Sequence, residues 1–309
     1  MCNLPGFGMK AKAVTLVHRG AMEIAVHAVS SFARHFRESH VLEIHSDGSL
    51  RGEDERLLLE AAEEMEVQLM GPDDRKEALM SACSGYPELI PLFDRGGYFS
   101  KLQLAVAIPP PFFYFDSDIV WLRPVENLVS ESAPNTFSTE SWSWYFGVND
   151  DAKWVREKIP RRVNSGFYHL SVNFPMDRLA RLFSEELYTP DHRYSTDQEM
   201  MAFLYPDLDY YHPDDLKRSR RGIVYDLQAD PAAALHFPGR MWADHMDQIR
   251  ELANTAGREA VRIRYQPGIP LGRGELWRMR ASLAAAATPA LQIPINCFRR
   301  VRSRLRSST

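Results

Sequence analysis

Cysteine is scarce in this chain. Cys2, Cys83 and Cys297 are the three in 309 residues, and their spacing fits neither a zinc site nor a redox pair. Reduced thiols in a cytoplasmic compartment are the expectation that follows. A secretory leader is equally hard to find, because the opening MCNLPGFGMKAKAVTLVHRG holds no apolar run of h-region length before His18 and Arg19. Charge of one sign is lacking as well: a formal net charge of -4 gives no whole-protein attraction to nucleic acid or to an anionic membrane. No internal repeat or low-complexity tract stands out. What is present is ordinary for a folded protein. Hydrophobic residues at 45% and charged residues at 25% allow a sizeable core, and the length suits one large α/β domain with extensions.

The apolar pattern alternates between short β-rich runs and helical spacing. Strands are expected at 13–18, 40–45 and 67–70. Helices are expected at 21–36, where Ile24, Ala28, Phe32 and Phe36 recur every fourth residue, and at 53–65 and 73–82. A further helix at 98–108 ends at Pro109-Pro110-Pro111, and a fourth strand begins at Phe112. Strands separated by helices argue for a mainly parallel sheet covered on both faces, with ligands beyond the carboxyl ends of the strands. Beyond Pro124 the pattern turns α+β. Strands are expected at 136–146 and, preceded by Asn164-Ser165, at 166–172; helices are expected at 175–187 and 196–204.

Residues 112–121, FFYFDSDIVW, carry the sharpest chemical signal. Asp116 and Asp118 follow an apolar strand at the end where ligands bind. Two carboxylates so close repel each other, so a positive partner is expected. Mg²⁺ or Mn²⁺ would serve, since hard divalent cations favour carboxylate oxygen and bridge to phosphates. His236, in LHFPGR, is of the right type to add an imidazole nitrogen, although a lone histidine is more often a core or surface residue. Asn164, before a small pair, has the donors for sugar hydroxyls. Asp197 and Gln198 fall in the first turn of a helix, where an unpaired carboxylate and amide donors would face a cleft; ordinary helix capping explains the same residues.

FYFDSDIVWLRP, NSGFYHL, STDQEMMAFL and LHFPGR occur in an order that resembles nucleotide-sugar glycosyltransferases of the GT-A fold, in particular the glycogenin and bacterial lipopolysaccharide galactosyltransferase group, over roughly residues 12–245. The resemblance implies a single Rossmann-like α/β domain with a mixed, mainly parallel sheet. Its nucleotide-binding half would span about 12–124 and its acceptor half about 125–250, with 251–309 as a helical, basic C-terminal extension. It implies that Asp116, Asp118 and His236 bind the metal, Mn²⁺ or Mg²⁺, and that Lys101 and Asn164 approach the donor diphosphate and sugar. Val17 and His18 match the strand end that holds the base, and Asp197 and Gln198 the pair beneath the anomeric carbon. The activity implied is transfer of a hexose, with retention, from a nucleoside diphosphate sugar of the UDP type to a hydroxyl of a saccharide or glycoconjugate, as in polysaccharide biosynthesis. One position departs from the pattern. Where the group has the lysine of H-x-x-G-x-x-K, this chain has Trp242, and Arg240 is the residue whose fork suits the diphosphate instead.

Other surfaces admit two readings each. Trp142, Trp144 and Tyr145 suit either an acceptor wall for pyranose faces or a packed hairpin. Lys217-Arg218-Ser219-Arg220-Arg221 suits a solvated loop or an anion contact. Residues 271–309 hold eight arginines against Glu275 alone. That balance fits a flexible tail, a packed helix, or a peripheral contact with anionic lipid at the inner face of a membrane. Two other functions come into view: a haloacid-dehalogenase-like phosphatase, since FDSDIV also fits its motif with Asp116 as nucleophile, and a carbohydrate-binding protein without turnover, for which Trp242 in place of the lysine speaks. The first expects the motif on the first strand of its domain, where here three strand–helix units precede it.

Overall fold

The computed structural model describes residues 10–93, 99–129, 134–139, 163–184, 196–205, 208–218, 232–239, 241–255, 257 and 259–267. From Ala11 the chain alternates as its pattern predicts: β1 (Ala11–Val17), α1 (Met22–Phe36), β2 (His40–Ser46), α2 (Gly52–Ala61), β3 (Val67–Met70), α3 (Pro72–Ala82), the single turn α4 (Ile90–Phe93), α5 (Phe99–Ala107) and β4 (Phe112–Asp116). In α1 the buried side chains Ile24, Ala25, Ala28, Val29, Phe32, Ala33 and Phe36 form one stripe against the sheet. The second helix is shorter than its pattern suggests. It stops at Ala61 because Glu63 takes a φ of 51°, the left-handed conformation that terminates helices. Pro72 opens α3, where the Asp74 carboxylate accepts the Gly71 N–H at 2.6 Å.

After β4 come β5 (Ile119–Trp121), β6 (Asn135–Thr139), β7 (Val163–Leu170), α6 (Met176–Ser184), α7 (Thr196–Leu204), β8 (Asp209–Tyr211), β9 (Leu216–Arg218), β10 (Ala234–His236), α8 (Met246–Asn254) and β11 (Tyr265–Pro267). The main sheet has eight strands in the order β11-β8-β6-β7-β4-β1-β2-β3. Its β1–β2, β2–β3, β1–β4 and β6–β8 pairs are parallel, while β7 runs antiparallel to both β4 and β6, as β11 does to β8. β7 starts earlier than its apolar run suggests, because Val163 and Asn164 pair with Thr139 and Ser138. Asn164 and Ser165 therefore lie inside the strand rather than ahead of it. Beyond residue 250, Val261 bridges Val125, and β11 extends the main sheet.

Phe112–Phe115 is buried on both faces because each face has its own aromatic layer. Phe113 and Phe115 pack with Phe32, Trp121 and Phe167 under α1. On the other face Tyr114 stacks on Tyr168 at 4.7 Å, and Phe137 continues the stack at 5.3 Å. Each such burial contributes about 1.5–3 kcal/mol, so the strand before Asp116 is a fixed platform. A smaller sheet, β5-β10-β9, stands beside it; its antiparallel β5–β10 register sets His236 opposite Ile119. None of the described helices is long and apolar enough to cross a membrane.

Candidate active site

Asp116 is the last residue of β4 and faces α5. The Lys101 ammonium lies 2.8 Å from one Asp116 oxygen and 2.9 Å from the other. The same ammonium is 3.3 Å from Asp197 on α7 and 3.5 Å from the Ser165 hydroxyl on β7. Ser165 donates its hydroxyl proton to Asp197, which is 3% exposed. The expected unpaired carboxylate at Asp197 is thus corrected: it is buried and answered by a hydroxyl and an ammonium. Burial opposes the Lys101 charge, yet Asp116, Asp197 and Asp118 together outweigh it and raise the pKa above the usual lysine value. Tyr114 donates to Asp116 Oδ1 at 2.7 Å, and burial followed by the Asp116 charge pushes its phenol well above the ordinary range.

Asp118 and His236 complete the cluster from the small sheet. The Phe237 N–H donates to the Asp118 carbonyl at 2.9 Å, which locks the two turns together. His236 Nε2 then stands 3.2 Å from Asp118 Oδ1 and 3.8 Å from Asp116 Oδ2. At 3.2 Å the first pair is close, but it lacks the alignment of a hydrogen bond: Asp118 Oδ1 is buried and has no hydrogen-bond partner. One ligand atom from each of Asp116, Asp118 and His236 lies within 4.8 Å of the others. The three atoms are close enough together to be ligands to a shared cation.

Gly166 supports this arrangement. Its N–H donates to Asn164 Oδ1 at 2.7 Å, and a Cβ built on it would come within 2.8 Å of Asn164 Oδ1, Asp116 Oδ2 and His236 Cε1 alike. The missing methyl leaves the space between those three groups open. Formal charge points the same way, since three carboxylates (Asp116, Asp118, Asp197) face one ammonium (Lys101). The surplus of two negative charges suits a divalent ion.

The other expected site residues divide into three groups. Gln198 is partly buried beside Asp197 at the start of α7. Val17 and His18 lie at the carboxyl end of β1, but the Val17 side chain is buried in the core, so only its backbone can meet a ligand there; His18 is exposed. Arg240, Trp142, Trp144, Tyr145, the Ser219–Arg221 part of the basic run and the basic tail lie outside the described residues. Trp242 is half-buried against the cluster that includes Ile24, Val120, Leu235 and Phe237, so packing occupies the position where the sequence resemblance leads one to expect a lysine.

A pocket that the sequence did not reveal lies at the carboxyl ends of β2 and β3. It has a volume of about 260 Å³, with Asp47, Arg75, Lys76, Ser100 and Gln103 as its polar lining. Ser100 and Gln103 reach this pocket from α5, the helix that also carries Lys101. Arg75 is 4% exposed, donates to the Ser46 carbonyl at 2.6 Å, and keeps a buried Nε without a partner. Burial lowers its pKa from the usual arginine value. Only the Gly71-Pro72 helix start hinted at this place, since the Arg75–Ser46 contact joins residues 29 apart.

No protein-family model matches the chain, and no curated protein does. Solved structures do. The apo structure of the bifunctional glycosyltransferase WbbM is 12% identical over 82% of this chain and 51% of its own, with a TM-score of 0.57. The apo form of mouse xyloside xylosyltransferase 1 is 15% identical over 76% of this chain and 99% of its own, with a TM-score of 0.50. The galactosyltransferase LgtC, in complex with donor and acceptor sugar analogs, is 16% identical over 80% and 97%, with a TM-score of 0.45. This chain spans about half the length of WbbM. The α/β fold expected from the sequence, GT-A with a mixed central sheet, is the fold present.

Proposed function

We propose that the chain is a divalent-metal-dependent glycosyltransferase that moves a hexose from a nucleoside diphosphate sugar, with UDP as the nucleotide, to a hydroxyl of a saccharide or glycoconjugate. The observation that carries this reading is the convergence of Asp116, Asp118 and His236 around an unanswered Asp118 oxygen at the carboxyl end of β4. Mn²⁺ or Mg²⁺ held there would neutralise the charge that develops on the leaving diphosphate. Everything else falls to the chain's own side chains. Lys101 fixes Asp116 by contacts to both oxygens and spans to Asp197, so the two acids keep a set separation. Ser165 holds Asp197 from the other side. Asn164, braced by the Gly166 N–H, would meet the donor sugar, and Asp197 with Gln198 would lie beneath the anomeric carbon, where retention of configuration is decided. The pocket between Asp47, Arg75 and Ser100 would offer a nucleoside hydrogen-bonding edges and an apolar wall. Arg240 would face the diphosphate, and Trp142, Trp144 and Tyr145 the acceptor. The catalytic domain in this reading begins near residue 12 and includes β11.

The phosphatase alternative fits the geometry poorly. Asp116 ends the fourth strand of the domain, not the first, where that motif is expected.

A thermal-shift screen of UDP-, GDP- and ADP-linked sugars, with and without Mn²⁺, tests the proposal. Stabilisation by one nucleotide series that requires the metal, with hydrolysis or transfer of its sugar lost at least a hundredfold in Asp118→Ala, is the expected result. Metal-dependent binding of UDP without turnover of any donor would instead make the chain a binding protein, and stabilisation by none would remove the proposal.

A further inference from the structure

Arg75 carries a charge that no ion pair among the described residues answers, although the side chain is 4% exposed. Two carboxylates act on it through space, and a neighbour engages each of them. Asp74 accepts the Gly71 N–H at 2.6 Å; Asp47 accepts the Ser49 N–H at 2.9 Å and the Ser49 hydroxyl at 2.5 Å. A guanidinium held out of water without a counter-charge is costly, so an anion is expected close by. The place for one is the pocket of about 260 Å³ that Arg75 borders. Lys76 lines the same pocket, exposed and also without an ion pair among the described residues. Two cations thus face it against one carboxylate, Asp47, which stands in solvent where its charge is screened. Ser100 adds a hydroxyl without a hydrogen-bond partner among the described residues, while Gln103 donates its amide to the Phe93 carbonyl. The Arg75 Nε is enclosed, so the arginine acts chiefly through its field, and direct contact falls to Lys76.

We infer that this pocket binds a small phosphate-bearing anion. A phosphate monoester carries about two negative charges at pH 7, one for each cation, whereas a carboxylate would answer only one of them. The volume lies below the roughly 300–1,000 Å³ of sites for larger ligands, so the occupant is compact. Any organic part would lie along Pro72 and Met80, the exposed apolar residues of the lining. A nucleoside entering the same pocket is neutral and leaves both cations unanswered, so the charge points beyond a donor base. Neither the metal nor Asp116 is needed, and the inference stands or falls apart from the glycosyltransferase reading.

The test is thermal shift of the full chain in EDTA at constant ionic strength, with inorganic phosphate, phenyl phosphate and benzoate. Saturable stabilisation by both phosphates beyond that of chloride is expected, with benzoate about fivefold weaker. Tighter binding of phenyl phosphate would mark the site as one for an organic phosphate, and equal binding as one for the free ion. Lys76→Glu should weaken phosphate about fivefold or more, and Arg75→Met about tenfold or more. Lys76→Glu, at an exposed position, keeps the test decisive even if Arg75→Met does not fold. No saturable effect beyond chloride, an equal effect from benzoate, or insensitivity to Lys76→Glu would each overturn the inference. Stabilisation that appears only when Mn²⁺ replaces EDTA would assign the phosphate to the acidic cluster and overturn it equally.

Discussion

The two ends of β4 are built from neighbouring residues of one strand, yet they treat polar groups in opposite ways. At the carboxyl end, Asp116 is held by Lys101 and Tyr114, and each of those has a fixed place on α5 or in the strand itself. Charge there is concentrated, and the partners bring carboxylates together against their mutual repulsion. At the amino end, His169 lies in an apolar wall, its Nδ1 without a partner. The first end spends packing to assemble charge; the second keeps its polar group neutral and apart. A strand buried on both faces is stiff enough to support both.

The comparison breaks most sharply at Gly166. Alanine there would put a methyl within 2.8 Å of Asp116, Asn164 and His236. Gly166→Ala should weaken Mn²⁺ binding by a hundredfold or more, as read by titration calorimetry. Thermal stability without metal should fall far less, because the displaced groups border open space. A large loss of stability in the absence of metal would mean that the glycine serves packing rather than the acidic cluster.

A smaller effect is expected from Tyr114→Phe. The phenol's hydrogen bond to a charged carboxylate is worth about 1.5–3 kcal/mol, so Asp116 should lose orientation and Mn²⁺ affinity should fall about tenfold. The stacked ring of Tyr168 would still support a phenylalanine at that position. Unchanged metal affinity would show that Lys101 alone positions Asp116.

The amino end is sharpened by acid. Burial lowers the pKa of both His40 and His169 to about 4, against 6.5 for the unfolded chain. Between those values the unfolded state binds protons that the folded state refuses, so stability falls as pH drops from about 6.5 towards 4, by up to about 1.4 kcal/mol per pH unit for each ring. Denaturant unfolding across that window should show the decline, and His169→Phe should make it shallower. An unchanged slope in that variant would assign the acid sensitivity elsewhere.

How far these sites can be read from sequence depends on how local their causes are. β1–β4 and the helices α1, α2, α3 and α5 follow from residue spacing, because each buried face repeats in a fixed period. Asp116 and Asp118 were legible for the same reason: four apolar residues in front of them made a solvated turn a poor explanation. His236 depended on order along the chain, since nothing near it in sequence separates a ligand from a core histidine. The pairing of Asp197 with Ser165 and Lys101 was not legible, and neither was the Arg75 pocket. Those contacts join β7 to α7 and β2 to α3, and only the folded sheet brings them together. The apolar run of β7 hides its start, because polar Asn164 interrupts it while backbone pairing with β6 extends through to Val163.

The register of β5 against β10 has one more consequence. His236 meets Asp118 because it stands opposite Ile119; a slip of one residue would turn the imidazole to the other face. A cation shared by these residues would therefore act as a staple across the topology, closing a loop of about 120 residues that is open in the unfolded chain. By mass action such an ion stabilises only chains whose small sheet has docked in the correct register. Metal occupancy would then report on folding of the second half of the domain, in addition to serving the chemistry at its edge.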